Sequence, residues 1–456
     1  MGLSKRLLRI GSFVFPFADF LYILQQEEYD GKRYLKWLPR FFFRRNYQIR
    51  DRLKYTGRAV ITLSFAVLIW LGSLASFVLV FRLRPVATLT ATLLWLVLVP
   101  IFVLAGNGAL RPYFSRAKRA IIKSAAAKVE RQKNLCIVAV AGSFGKTTTK
   151  NFIEQLVRYN YQTQMVPGNI NTPIGIAIWV NTHLRPGTEL LVLEMDAYEK
   201  GEIRQSCFIA PADIAIITNI GDQHIERFGD KDRLANALKE IFIYAKKGAK
   251  FLCTHETNTC LGPIGEGKET TVVELGALKG IKVATLRQFS PSNRTNLLFA
   301  IHAAQLLNIP SEFIADTCEK LELPNRRQKP TELYGYECVD DSYNISFTTA
   351  QAGIEFARGL ANAKNKKLLV ITAGIPELGP ADQDKNEVLG RLLAAKADHV
   401  AVLKSILADD IIRGIGDPNK YTVFERFALF VNKAEEQFPP REWFLLFQPE
   451  LTDLYY

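Results

Sequence analysis

The run Val138-Ala-Val-Ala-Gly-Ser-Phe-Gly-Lys-Thr-Thr-Thr-Lys150 joins an apolar stretch to a glycine-rich turn and then to a helix pattern. Glycines let backbone N–H groups close on phosphate oxygens, and a helix N-terminus behind them adds a favourable dipole. In such a loop Lys146 neutralises β- and γ-phosphate charge and Thr147 offers its hydroxyl to Mg2+. Gly142, Ser143, Phe144, Gly145, Lys146, Thr147 and Thr148 form the expected nucleotide-binding set. The full phosphate-loop pattern has glycine where Val140 stands, so the match is the shorter G-x-x-G-K-T form. A glycine-rich connection with a solvated lysine is the plainer alternative.

Other polar groups fall at the ends of apolar runs. Leu190-Leu-Val-Leu-Glu-Met195 puts Glu194 at a strand end, where a carboxylate faces the crevice at the carboxyl edge of a sheet. It is a metal-ligand candidate; a solvated strand-end glutamate reads equally well. Ile216-Ile-Thr-Asn-Ile-Gly-Asp-Gln-His224 repeats the logic, with His224 one of only five histidines, although a lone loop histidine is more often structural. Lys239, on the helix pattern that follows, taken alone is a solvated lysine.

Elements that could position these residues follow from periodicity. Short apolar runs at Cys136–Ala141, Leu190–Glu194, Ile214–Asn219 and Ala249–Cys253 read as strands, and 147–159, 230–246 and 292–307 as helices. This alternation predicts an α/β fold with a mostly parallel sheet. It restarts after Leu323-Pro-Asn, with strands at Tyr336–Val339, Lys367–Thr372, His399–Leu403 and Trp443–Phe447, and predicts a smaller C-terminal α/β (Rossmann-like) domain. The expected domains are 134–321, ATP-binding, and 322–456.

Residues 1–133 differ in kind. They hold 23 Lys/Arg against 6 Asp/Glu, net +17, while the rest holds 35 against 39, net −4. A basic stripe for nucleic acid is therefore not expected on the catalytic part. Ala59–Phe81 and Pro85–Leu110 lack charge over 23 and 26 residues, long enough for transmembrane helices at about 59–81 and 86–106 joined in a hairpin. Lys/Arg crowd both outer flanks, so both are expected in the cytoplasm, with the catalytic domains facing it from the inner membrane. A buried soluble hairpin is the alternative. Aromatic–basic stretches such as Phe13-Val-Phe-Pro-Phe17 and Trp37–Arg45 suit the headgroup region, which makes membrane lipids expected partners. The six cysteines form no C-x2-C pair and read as reduced.

Taken together, the segments resemble the Mur ligase family, ATP-dependent amide ligases of peptidoglycan synthesis. The resemblance runs from about Cys136 to Gly379 through Gly142–Thr148, Gly168–Gly175, Glu194–Ile203, Thr218–His224 with Phe228-Gly229, Asn325–Arg327, Asp341-Ser-Tyr-Asn344 and Gly374–Gly379. It is nearest to the D-alanyl-D-alanine-adding, MurF-type branch. The resemblance implies that Thr147 and Glu194 hold one Mg2+ and His224 a second. It implies that Lys239, 15 residues after His224, is carbamylated and helps to hold metal. Asn296 would sit beside adenine, Arg326 and Asp341 would reach ATP, and Tyr343 and Asn344 would line its site. Lys146, Glu194, His224 and Lys239 form the expected catalytic set. The implied chemistry activates a carboxylate as an acyl phosphate and joins it to an amino acid or dipeptide amine. The expected acceptor is a UDP-linked or lipid-linked muropeptide.

The chain departs from that family in three places. The membrane-like segment stands where a UDP-sugar-binding domain is usual. Asp196 stands where glycine is frequent, and Ser346-Phe347 where Asn-Pro is usual. The C-terminal run Trp443–Tyr456 lacks the V-K-G-S-R segment. A poly-γ-glutamate-type synthase, or a membrane-tethered nucleotide-binding regulator without turnover, are the alternative functions.

Overall fold

A computed structural model describes residues 16–43, 53–82, 84–168, 170–221, 228–264, 270–273, 289–343, 345–376, 378, 382–425 and 427–448. The chain forms two compact units, Met1–Ala120 and Ile121–Tyr456.

The first unit is helical: α1 (Phe17–Gln26), α2 (Gly31–Phe43), α3 (Gly57–Phe81), α4 (Pro85–Val97) and the start of α5 (Val99–Glu130). Thr56 opens α3, its hydroxyl accepting from the Ala59 N–H. The helix runs 25 residues and is long and apolar enough to cross a membrane. The expected second span is not straight: α4 and α5 are bent by 62°. Pro100, the second residue of α5, has no N–H to give the carbonyl four residues earlier, and its fixed φ suits the first turn of a helix, so a new helix starts there. Ala59, Thr62, Ala66 and Trp70 are the buried residues of α3, and a Cβ on Gly106 would lie 3.2 Å from the Ala66 backbone. Trp70 Nε1 donates to the Trp95 carbonyl at 3.0 Å, and Trp95 Nε1 donates to Ser73 Oγ at 2.9 Å, tying α3 to α4. Phe13 to Phe15 and Arg44 to Arg52, part of the expected headgroup segment, lie outside the described residues.

The second unit carries two six-stranded sheets. The first contains β1 (Cys136–Ala141), β2 (Thr163–Met165), β3 (Leu190–Glu194), β4 (Ile214–Ile217), β5 (Lys250–Cys253) and β6 (Thr270–Val272), in the order β2-β3-β1-β4-β5-β6. Every pairing in it is parallel. Alternate residues of the strands serve two cores. Ile137, Ala139, Leu191 and Ile217 pack with Trp179 and Leu234 on one face. Val138, Val140, Val192 and Ile216 pack with Phe152 and Phe299 on the other. A parallel sheet covered on both faces is what near-continuous apolar strands require. Its helices are α6 (Lys146–Val157), α7 (Pro173–His183), α8 (Glu202–Ile209), α9 (Lys231–Leu238), α10 (Glu240–Ile243), α11 (His255–Leu261), α12 (Pro291–Leu306) and α13 (Ser311–Cys318). The helix expected over 230–246 divides at Lys239, where bonding tightens to Phe242 N–H onto the Lys239 carbonyl.

The second sheet contains β7 (Lys329–Leu333), β8 (Tyr336–Asp340), β9 (Lys367–Thr372), β10 (His399–Leu403), β11 (Tyr421–Phe424) and β12 (Trp443–Phe447), in the order β11-β10-β9-β12-β8-β7. Only the β7–β8 pairing is antiparallel. Tyr334 and Gly335, at φ 53° and 77°, make its two-residue turn. Helices α14 (Phe347–Ala363), α15 (Asp382–Lys396), α16 (Ala408–Ile415) and α17 (Phe427–Gln437) flank this sheet. Ser346 caps α14 in a reciprocal box with Thr349, which gives one departure from the family pattern a local structural role. All six cysteines are free.

Candidate functional site

The first sheet has its topological switch at β1, which lies between β3 and β4. Crevices for ligands form outside the carboxyl ends of strands at such a point. The glycine turn after β1, Glu194 at the end of β3 and Thr218-Asn219 after β4 all emerge there.

The loop is held by its neighbours. Asn219 Oδ1 accepts from the Phe144 N–H at 3.1 Å, and Thr218 Oγ1 and Asn219 Nδ2 donate to the Phe144 carbonyl at 2.6 and 2.7 Å. Ser143 Oγ accepts from the Gly221 N–H at 2.9 Å. Gly142 and Gly145 have φ of 133° and 82°. A Cβ on either would come within 2.2 Å of Thr218 Oγ1 or Asn296 Oδ1 respectively, so close packing demands both glycines. Asn296, expected beside adenine, is buried behind the loop, with Oδ1 3.4 Å from Thr149 Oγ1 and Nδ2 donating to Asn293 Oδ1 at 3.2 Å.

The charged groups form one connected cluster. Lys146 Nζ donates to the Gly142 carbonyl at 2.6 Å and pairs with Asp196 at 3.2 Å. Thr147 Oγ1 donates to Glu194 Oε2 at 2.7 Å. Asn171 Nδ2 bridges Glu194 Oε1 at 3.1 Å and Asp196 Oδ2 at 3.3 Å. Lys150, fully buried, donates to the Val166 carbonyl at 2.5 Å and stands 3.8 Å from Glu194. Burial pushes the Lys150 ammonium below its ordinary range, and the neighbouring Glu194 carboxylate opposes that shift.

From the second-sheet side, Arg327 donates from Nη2 to Thr147 Oγ1 at 3.0 Å, and its guanidinium lies 3.7 Å from the centroid of the Tyr343 ring. The neighbouring Arg326 behaves differently. Its backbone is left-handed at φ 63°, and its guanidinium turns to Ser342, donating from Nε to Oγ at 2.8 Å and from Nη2 to the carbonyl at 2.7 Å. Asp341 is buried and accepts from Gln328 Nε2 at 3.2 Å. Burial holds its carboxyl well above the usual carboxylate range, with Gln328 and Arg327 pulling the other way.

The structure therefore brings Lys146, Thr147 and Glu194 together, and Arg326, Tyr343 and Asp341 around the segment that carries Arg327. Lys239 is half-buried and gives its ammonium to the Leu261 carbonyl at 2.8 Å, not to the Thr147–Glu194 pair. His224 and Asn344 lie outside the described residues. Lys150, Asn171, Asp196 and Arg327 join the cluster without having been assigned roles from sequence. The G-N-I-N run containing Asn171 and the paired arginines were the available signals.

The donor set suits a hard cation: a hydroxyl and a carboxylate share one hydrogen bond, and such ions take oxygen ligands. Among the described residues no group of three or more His, Cys, Asp or Glu could hold a metal by itself, so Thr147 and Glu194 would need oxygen ligands from a bound nucleotide.

Residues 140–313 match the Mur ligase middle domain. The UDP-N-acetylmuramoyl-tripeptide–D-alanyl-D-alanine ligase of Bacillus subtilis is 29% identical over 284 residues, 58% of this chain and 62% of that protein. The Escherichia coli enzyme of the same name is 25% identical over 346 residues, 68% of this chain and 74% of its own length. The match thus spans less than two thirds of the Bacillus subtilis relative's length. In fold, the chain is similar to a MurF ligase from Thermotoga maritima in complex with ADP, with a TM-score of 0.64 at 22% identity over 73% of this chain and 80% of that one. MurF from Acinetobacter baumannii gives 0.62 at 22% identity, over 73% and 77%. Residues 140–313 thus carry a Mur ligase middle domain, and the chain is similar in sequence and in fold to ligases of the D-alanyl-D-alanine-adding, MurF type.

Proposed function

We propose that the chain is an ATP-dependent, ADP-forming peptide ligase of peptidoglycan precursor synthesis, which joins the terminal carboxyl of a muramoyl tripeptide to the amine of D-alanyl-D-alanine. The observation that carries this reading is the half-buried Thr147 hydroxyl, held between Glu194 and Arg327 beside the lysine of a phosphate loop. Relatives named for this reaction support the substrates.

A carboxylate is a poor electrophile. Transfer of the γ-phosphoryl of ATP to it makes an acyl phosphate and releases ADP. A neutral amine then attacks the acyl carbon, the C–O bond to phosphate breaks, and the amine loses a proton as phosphate leaves. Lys146 and the loop N–H groups would hold the β- and γ-phosphates and stabilise the charge that builds on them. Thr147 and Glu194 would hold Mg2+, which supplies Lewis-acid stabilisation of phosphoryl oxygens when bound. Arg327, reaching this point from the second sheet, would add positive charge as the two sheets close and exclude water. A second Mg2+ at His224 and a carbamylated Lys239 is supported by family resemblance alone.

The domain reading, 134–321 for ATP and 322–456 closing over it, belongs to the same proposal. So does anchoring of residues 1–133 in the inner membrane, with the catalytic domains facing the cytoplasm. Support comes from helix α3, whose most apolar window is 11% buried, and from the flanking bases.

The test is phosphate release from ATP by full-length protein in detergent, with UDP-linked muramoyl tripeptide and D-alanyl-D-alanine. Release should require both substrates and be lost in Lys146→Ala and Glu194→Gln. Release independent of both would point to a nucleotide-hydrolysing regulator and overturn the assignment.

A further inference from the structure

The first unit holds a polar cluster that ligase chemistry does not use. Arg58, in the first turn of α3, places its guanidinium 3.9 Å from the Tyr29 ring centroid and 5.1 Å from that of Phe114. Its Nη2 donates to Asn107 Oδ1 at 3.3 Å, and Asn107 Nδ2 donates to the Tyr29 carbonyl at 3.0 Å. Two rings and an amide thus fix the plane of a cation. Glu27 and Glu28 pair with Arg33, and among the described residues no carboxylate pairs with Arg58.

Three atoms of this region are buried with no hydrogen-bond partner: Arg58 Nε, Tyr29 Oη and Thr62 Oγ1. Thr62 is fully buried and follows Arg58 by four residues, on the same face of α3. Buried polar groups are nearly always satisfied, so an unpaired guanidinium nitrogen, with unpaired hydroxyls on the tyrosine it stacks against and on the threonine one turn along its helix, needs a reason. All three can donate a hydrogen bond. Unmet donors next to positive charge match an anion with several acceptor oxygens.

Position narrows the anion further. Arg58 stands where the basic run Arg50, Arg52, Lys54 meets the uncharged stretch Ala59–Phe81, which is headgroup depth if α3 crosses a membrane. We propose that Tyr29, Arg58 and Thr62 form a binding site for the phosphate group of a membrane lipid. The proposal rests on α3 entering a membrane and not on the ligase reading.

The test uses full-length protein in detergent, with lipid retention read by native mass spectrometry and stability by thermal melting. The probes are phosphatidic acid, oleate as an anionic lipid without phosphate, and inorganic phosphate. Phosphatidic acid should be retained and should raise Tm, while the other two should do neither. Arg58→Gln should lower retention by tenfold or more, on the order of one hydrogen bond to a charged group. Tyr29→Phe and Thr62→Val each remove an unpaired hydroxyl. Each should therefore leave lipid-free Tm unchanged or higher, yet weaken retention severalfold. Lys54→Gln, which removes an exposed flanking base, should bind as the wild type does. Equal retention by Tyr29→Phe, Thr62→Val and the wild type would overturn the site. Equal retention of oleate would overturn the phosphate assignment, and capture of inorganic phosphate without lipid would overturn the lipid assignment.

Discussion

Replacing Asp196 by Asn would release the lysine of the phosphate loop. Lys146 Nζ and Asp196 Oδ2 are 3.2 Å apart, with side chains only 8% and 9% exposed. At an effective dielectric of about 20, two unit charges at that distance attract by about 5 kcal/mol. Desolvation offsets part of this, and an Asn oxygen keeps a hydrogen bond, which leaves a net loss of about 2 kcal/mol. In the proposed function the nucleotide phosphates draw on this ammonium, so the carboxylate would compete with them. Asp196→Asn should therefore bind ATP more tightly, by roughly 30-fold. The same change should lower the Tm of the ligand-free protein by several degrees, recovered on adding ATP. Calorimetric titration of ATP into both proteins, with and without Mg2+, reads the effect directly. Weaker binding in the variant, more so with Mg2+ than without, would refute the reasoning and make Asp196 a ligand of the metal.

Two further outcomes depend on burial and packing. Asp341, whose carboxyl burial holds above the usual range, keeps its proton in the folded state at pH values where the unfolded chain has lost it. Its contribution to stability therefore falls as pH rises from the ordinary carboxylate range through the raised folded value. Asp341→Asn should raise Tm more at pH 8 than at pH 4, and an equal gain at both would exclude this account. Gly390 lets α15 meet α16 backbone to backbone, since a Cβ there would lie 2.2 Å from the Ile411 carbonyl oxygen. Gly390→Ala should cost about 1–3 kcal/mol by chemical denaturation. Gly359→Ala, in the interior of α14 with open space around it, should gain about 0.5–1 kcal/mol.

Local pattern determined a large part of this protein. The strands expected at Cys136–Ala141, Leu190–Glu194, Lys367–Thr372, His399–Leu403 and Trp443–Phe447 appear with those bounds, because strands buried on both faces must be continuous apolar runs. The glycine turn after β1 and helix α6 were equally visible, since both glycines stand at positive φ and the helix starts at Lys146. The four edge strands β2, β6, β7 and β11 were missed: Thr163–Met165, Thr270–Val272, Lys329–Leu333 and Tyr421–Phe424 are short or half-wet and carry little apolar signal. The break at Leu98 was hidden within one uncharged stretch, although Pro100 was its local cause.

The site itself needed tertiary structure. The resemblance named Arg326 as the arginine reaching ATP, whereas Arg327 is the one that reaches Thr147. A left-handed backbone at Arg326 turns that side chain to Ser342 and leaves Arg327 to cross to the loop. Asp196 read as a departure from a pattern, and only the fold put it beside Lys146. Sequence determined which residues could meet phosphate, because that chemistry is local. Which carboxylate and which arginine meet the loop was decided by elements far apart in the chain, because side-chain direction depends on backbone conformation and on packing between sheets.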